Sequence, residues 1–275
     1  MSLFLMMRPI NIFIGIISVY ISSILLGITI FNPDILHIVV VVSGTIAISN
    51  LINDIFDIKT DKINRPKKQK VLNKIKISKV IYIIIILFIA IQFSLYNLNN
   101  ISQNYFHFII LPIIVTYTPI FKSIPLIGNI LIGFTLGSVF LFTEIGLTEN
   151  LDLLCVPALL ATYLTILREL IKDIEDYNGD LLNGINTFPV YFGIKASLKL
   201  YLILSMLLLF WGGVVVTYNN QNLYYLLFFW ILFTPLIFTT WFYIFYLKSK
   251  EYGKISTILK VATIFGLIVI TSLKL

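Results

Sequence analysis

Apolar runs close to 20 residues long recur from one end of this chain to the other, and each is long enough to cross a bilayer as a helix. No soluble core needs so many. Residues of the hydrophobic class make up 59% of the 275 positions, and mean hydropathy is +0.97, well above the roughly half apolar usage of soluble domains. The chain therefore reads as an all-α polytopic membrane protein. Nine spans are expected, over about 10–30, 35–56, 78–97, 104–121, 124–147, 150–172, 196–217, 222–247 and 256–273. Pro112, Pro119, Pro157 and Pro235 fall inside these stretches and should kink them. No long polar linker divides the chain, so residues 1–275 read as one intramembrane domain.

Positive charge orients the set. Arg8 precedes the first span, and nine basic residues lie between Lys59 and Lys79. Lys122, Arg168, Lys172, Lys195, Lys199, Lys248, Lys250, Lys254 and Lys260 border the same side of later spans. The opposite loops, around Asn32–His37, Asn97–Asn104, Gly146–Asp152 and Tyr218–Asn222, contain no Lys or Arg, and only Lys274 falls there. The positive-inside rule then puts the N-terminus in the cytoplasm and the C-terminus outside. The net charge of +7 is thus a topology signal, and nucleic acid is not an expected partner. Without a small-residue cleavage site, the first span is expected to be retained. Cys155 is the sole cysteine, so no intramolecular disulfide is possible; it reads as a packing residue. His37 and His107 sit at far-side span ends, away from the acidic residues described next.

Two of the apolar stretches end in the same acidic pattern. Asn50, Asp54, Asp57 and Asp61 are spaced by four, three and four, which on a helix keeps them within one sector of the surface. Glu169, Asp173, Asp176 and Asp180 repeat the spacing at an offset of 119, and Asn64 and Asn183 extend the match. A single acidic residue at a helix end reads as solvated; a doubled set of four does not. Both sets come out cytoplasmic in the charge-based topology, which did not use them. Clustered Asp and Asn oxygens, with no His or Cys nearby, suit a hard cation such as Mg²⁺. Mg²⁺ commonly takes one or two carboxylates and completes its shell with water and substrate phosphates. Two facing motifs therefore suggest two Mg²⁺ ions bridged by a diphosphate. Arg65, Lys122 and Lys172 are placed to neutralise charge on a departing diphosphate.

A diphosphate site at a membrane surface invites a lipid substrate. Ionising an allylic diphosphate leaves a cation that aromatic faces stabilise and water destroys, and 15% of the chain is aromatic.

At this point the residues resemble the UbiA superfamily of intramembrane prenyltransferases over nearly the whole chain. The likeness rests on Asn53-Asp54-x-x-Asp57-x-x-x-Asp61 and Asp173-x-x-Asp176-x-x-x-Asp180. It extends to Arg8-Pro9-x-Asn11 and to Tyr117, Lys122 and Gly128-Asn129. The resemblance implies nine helices and one Mg²⁺ held by Asp54, Asp57 and Asp61 with Asn50 and Asn53. It implies a second Mg²⁺ at Asp173, Asp176 and Asp180. Lys122, Lys172, Arg65 and Asn129 become candidate contacts for the diphosphate donor, and Arg8 and Asn11 candidates for positioning a lipophilic acceptor. The run from Arg168 to Asp180, followed by Thr187-x-Pro189, is most similar to the digeranylgeranylglyceryl phosphate synthase branch. That branch transfers a geranylgeranyl group to geranylgeranylglyceryl phosphate. One departure stands at Val71–Lys74, where relatives carry a Pro-x-Gly turn.

Three other readings stay open. An aromatic acceptor, such as a quinone precursor or a chlorophyll-type ring, fits the same motifs, because metal motifs do not choose an acceptor. The deprotonating base is not identified, with Glu169 and Glu175 as spare carboxylates. A cation transporter would also carry intramembrane carboxylates, though normally nearer the midplane. A structural scaffold leaves the doubled pattern unexplained. No feature asks for an obligate protein partner; the expected partners are a polyprenyl diphosphate, a lipophilic acceptor and the surrounding lipid.

Overall fold

A computed structural model describes residues 2–66, 75–218, 223–246 and 251–272. The Val71–Lys74 departure, the 219–222 part of a far-side loop, and Lys248, Lys250 and Lys274 lie outside them. Among the described residues the regular structure is helical throughout. In chain order the helices are α1 (Ser2–Met6), α2 (Pro9–Leu25), α3 (Pro33–Phe56), α4 (Ile58–Asn64), α5 (Ile77–Tyr96), α6 (Asn100–Tyr105), α7 (Leu111–Tyr117) and α8 (Ile127–Thr148). They continue as α9 (Cys155–Glu175), α10 (Tyr177–Leu182), α11 (Phe188–Phe192), α12 (Ile194–Tyr218), α13 (Leu223–Leu227), α14 (Thr234–Phe245) and α15 (Tyr252–Thr271).

Six helical stretches among the described residues are long and apolar enough to cross a membrane: α3, α5, α8, α12 over Ile194–Val215, the α13–α14 run Leu223–Phe245, and α15. The α2 helix is apolar but shorter. Exposed side chains such as Phe13, Tyr82, Phe93, Phe108, Trp211 and Ile231 would be an aggregation hazard in water and are ordinary against lipid. This is an integral membrane protein.

The prolines behave differently from one another. Pro112 and Pro235 each begin a helix directly after a wide π-helical turn, Phe106–Ile110 and Phe228–Phe233. Such a turn re-routes the carbonyls that a proline leaves without a donor. At the second one, the Thr234 hydroxyl donates to the Phe229 carbonyl at 2.9 Å. Pro157, expected to kink a span, instead sits in the first turn of α9, where its missing N–H costs nothing. Pro119 lies in the turn that ends α7.

The chain divides into two compact units, with α8 contributing to both. The first comprises Met1–Phe121 and Ser138–Cys155. Its core joins Val19 of α2, Ile35, Ile38 and Val41 of α3, Ile91 and Leu95 of α5, and Phe142 and Ile145 of α8. α3 and α5 approach closely at Gly44, where a Cβ would stand 2.9 Å from the Ile91 side chain. Glu144, fully buried, accepts from the backbone amides of Asp152, Leu153 and Leu154 at 3.0, 2.6 and 2.9 Å, tying down the loop before α9.

The second unit comprises Lys122–Gly137 and Val156–Leu275. Leu167, Leu170 and Ile171 of α9 pack with Tyr201 of α12, Phe229 and Phe233 of the π-helical turn, Ile237 of α14, and Leu259 of α15. Polar side chains inside it are paired across helices: Tyr201 with Thr240 at 2.7 Å, and Trp241 Nε1 donating to Ser205 Oγ at 2.8 Å. Interhelical bonds of this kind help hold membrane helices together where apolar burial gives little.

Candidate active site

The first acidic set lies where α3 ends. Asn32 caps the start of that helix by accepting the Asp34 amide at 2.8 Å, with Pro33 in its first turn. The other end breaks at one residue. Asp57 has φ −81 and ψ 8, so α3 stops at Phe56 and the short α4 resumes at Ile58. The break costs no backbone bonds: the Asp57 amide donates to Asn53 at 2.9 Å, and its carbonyl accepts from the Asp61 amide at 2.8 Å. One uninterrupted helical face over 50–61 was the expectation. The structure instead splits it, because the near-zero ψ at Asp57 turns the chain while both bonds are kept.

The side chains of the set sit at different depths. Asn50, Asp54 and Asp61 are buried, while Asp57 is half-buried. A buried carboxylate must be compensated. Arg8 Nη2 meets Asp54 Oδ1 at 3.2 Å, although the two are 46 positions apart. Arg8 is itself in the left-handed region, φ 54 and ψ 71, a conformation that carries strain for a residue with a Cβ. Asn50 Nδ2 donates to the Met7 carbonyl at 3.0 Å, fastening the same N-terminal turn. Asn53 Nδ2 donates to Asp57 Oδ2 at 2.8 Å. Arg65 stands 3.9 Å from Asp61. Asn11 lies on the first turn of α2, its amide donating to the Arg8 carbonyl at 2.8 Å.

The second set repeats the backbone device in the second unit. α9 stops at Glu175, Asp176 has φ −86 and ψ 2, and α10 follows at Tyr177. The Asp176 amide donates to Lys172 at 2.8 Å and its carbonyl accepts from the Asp180 amide at 3.1 Å. Glu169 and Asp180 are buried, as are Asn50 and Asp61 at the matching positions. The partners differ. Asp173 Oδ2 accepts from Asn129 Nδ2 of α8 at 2.7 Å, and Glu169 accepts from both Arg168 and Lys172. Lys122 sits half-buried in a single turn, Phe121–Ser123, that precedes α8.

The donor set fits a hard cation: Asp and Asn oxygens at two helix ends, with no His or Cys beside them. Among the described residues no three acidic, His or Cys side chains form a ready-made cage. That is the arrangement Mg²⁺ tolerates, since it binds through one or two carboxylates and takes its remaining ligands from water and phosphate. Arg168, which the sequence marks only as a topology-setting charge and as the first residue of the 168–180 run, stands against Glu169 in the structure.

The model of the UbiA prenyltransferase family matches residues 15–264. The chain belongs to that family. It is 36% identical over 171 residues to the digeranylgeranylglyceryl phosphate synthase of Methanosarcina mazei, covering 62% of this chain and 58% of that one. The chain thus spans somewhat over half the length of this relative. A solved structure concerning digeranylgeranylglyceryl phosphate synthase in membranes superposes with a TM-score of 0.69 at 28% identity, covering 96% of this chain and 94% of the other. A UbiA homologue from Archaeoglobus fulgidus, bound to GPP and Mg²⁺, shares the fold with a TM-score of 0.66 at 18% identity, covering 98% and 99%.

Proposed function

We propose that this family member transfers a polyprenyl group, geranylgeranyl in the first instance, from its diphosphate to geranylgeranylglyceryl phosphate, forming an ether lipid. The observation that carries the reading is the doubled acidic helix end, 50–61 and 169–180, in a chain of this family. The names of the relatives support the choice of acceptor, as does the likeness of the 168–180 run to their branch.

Asp54, Asp57 and Asp61, with Asn50 and Asn53, hold one Mg²⁺ in this reading, and Asp173, Asp176 and Asp180 hold a second. Bound there, Mg²⁺ supplies positive charge to a departing diphosphate. The chain's own residues do the rest. Arg8 pairs with the buried Asp54 carboxylate and fixes its position, and Asn129 orients Asp173 by donating a hydrogen bond. Arg65, Lys122 and Lys172 add positive charge around the diphosphate, and Asn11 positions the acceptor. The apolar spans keep water from the allylic carbon while the acceptor hydroxyl attacks C1 and loses its proton. The reading includes nine spans within one catalytic domain, a cytoplasmic N-terminus and an active site on the cytoplasmic face, on the strength of the basic loops.

The test uses purified protein in detergent with Mg²⁺ and labelled geranylgeranyl diphosphate. Geranylgeranylglyceryl phosphate and 4-hydroxybenzoate are offered as competing acceptors. Label in the glycerol lipid is expected; label on the ring overturns the acceptor assignment and leaves prenyl transfer standing.

A further inference from the structure

Arg168 carries more donor capacity than the protein uses. Its Nη1 donates to Glu169 Oε1 at 3.3 Å, and that is its only hydrogen bond among the described residues. Its Nε is buried and has no partner there. A buried guanidinium donor left unmet is costly, and in a native protein it calls for an explanation such as an absent ligand. Although the Nε itself is buried, the side chain as a whole is 19% exposed.

Its neighbours sharpen the point. Lys172 is four residues on, about 40° around the same helix, and its ammonium reaches the other oxygen of Glu169. One carboxylate thus holds two cations side by side on a half-buried face. Asp173 lies about 140° around α9 from Arg168, and Asp176 stands just past the end of that helix. The cations therefore flank the acidic sector without sharing its centre. An anion held by the Arg fork and Lys172 would be bound directly, without a metal ion, beside the place assigned to the diphosphate. A planar fork with a neighbouring ammonium matches a phosphate monoester, which has three oxygens to offer.

We infer that Arg168, with Lys172 shared between it and the neighbouring diphosphate, forms a specificity site for the phosphate monoester of the acceptor lipid. Glu169 acts as the positioning residue that holds both cations. The inference rests on the reading of the protein as a prenyltransferase with a phosphorylated acceptor, and it adds the residues that read the phosphate. A carboxylated ring would offer this pair a smaller anion and a neutral alcohol would offer none, so the site selects among acceptors where the acidic ends do not.

The experiment measures binding in detergent: geranylgeranylglyceryl phosphate and its dephosphorylated counterpart geranylgeranylglycerol without Mg²⁺, and geranylgeranyl diphosphate with Mg²⁺. Wild type should prefer the phosphate over the alcohol. Arg168→Gln should weaken the phosphate lipid by about 10- to 100-fold, the loss of one hydrogen bond to a charged group, and bring the phosphate-to-alcohol ratio close to one. Arg168→Lys, which keeps the charge and loses the fork, should fall between. Donor binding with Mg²⁺ should match wild type in both variants, which also shows that they are folded. An unchanged phosphate-to-alcohol ratio in Arg168→Gln overturns the inference, as does an equal loss for donor and acceptor. Transfer by wild type to 4-hydroxybenzoate alone would instead overturn the acceptor reading on which the site rests.

Discussion

The acidic ends of α3 and α9 are built on one plan and compensated in two ways. Both use an aspartate with near-zero ψ to break a long helix, and both bury the first and last members of the set. At α3 the second member, Asp54, is met by a full charge, Arg8, delivered by the turn before α2. At α9 the second member, Asp173, is met by a neutral amide from α8, and the two local cations are spent on Glu169. The neighbouring positions explain the exchange. Beside Asn50 the places matching Arg168 and Lys172 hold Ser49 and Asn53, so no local cation is at hand and a distant Arg serves Asp54. Where the first member is Glu, the adjacent Arg168 and Lys172 settle on it. One spacing thus yields one end with its charge balanced on the aspartate and another with its positive charge set to the side.

If the two ends share the metal chemistry, Asp54→Ala and Asp173→Ala should each lower kcat by about 100-fold or more, and chelation of Mg²⁺ should do the same. Initial rates with labelled diphosphate decide this, and near-wild-type turnover in either variant breaks the equivalence. A fully bonded carboxylate gives the contrast. Glu144 serves three amides and no substrate, so Glu144→Ala should cost about 2–5 kcal/mol of stability. It should lower the melting temperature yet leave the rise produced by Mg²⁺ and diphosphate intact.

The ends should then part company in stability. Asp54→Asn strips Arg8 of its partner and should destabilise by about 1–2 kcal/mol, a value moderated by the partial exposure of Arg8. Asp173→Asn removes a carboxylate that has no direct ion pair, only an amide bond and the nearby charge of Lys172, and should be neutral or slightly stabilising. Equal melting shifts would show that the different partners do not matter. The smallest effect is expected at Asn53→Ala, about 0.5–1.5 kcal/mol, from the single bond to Asp57.

Much of this was legible in the residue order. Helix positions followed the apolar runs, and the doubled four-three-four spacing located both acidic ends without any structure. Legibility stopped at places where two local rules competed. The spacing implied unbroken helices through Asp57 and Asp176, but Asp is a weak helix former and both chains turn there. Pro157 lay within an apolar run and read as a kink, yet the helix begins just before it.

By itself, then, the sequence determined the solvent and the place of the acidic residues. Apolar runs of bilayer length leave no aqueous alternative, and the four-three-four spacing marks two helix ends; both are properties of local order along one chain. Only the tertiary structure decided which group answers which carboxylate. Arg8 lies 46 positions from Asp54 and Asn129 lies 44 from Asp173. Such pairings depend on which helices pack together and in what rotation, which no local periodicity encodes. The same packing left Arg168 with a donor to spare.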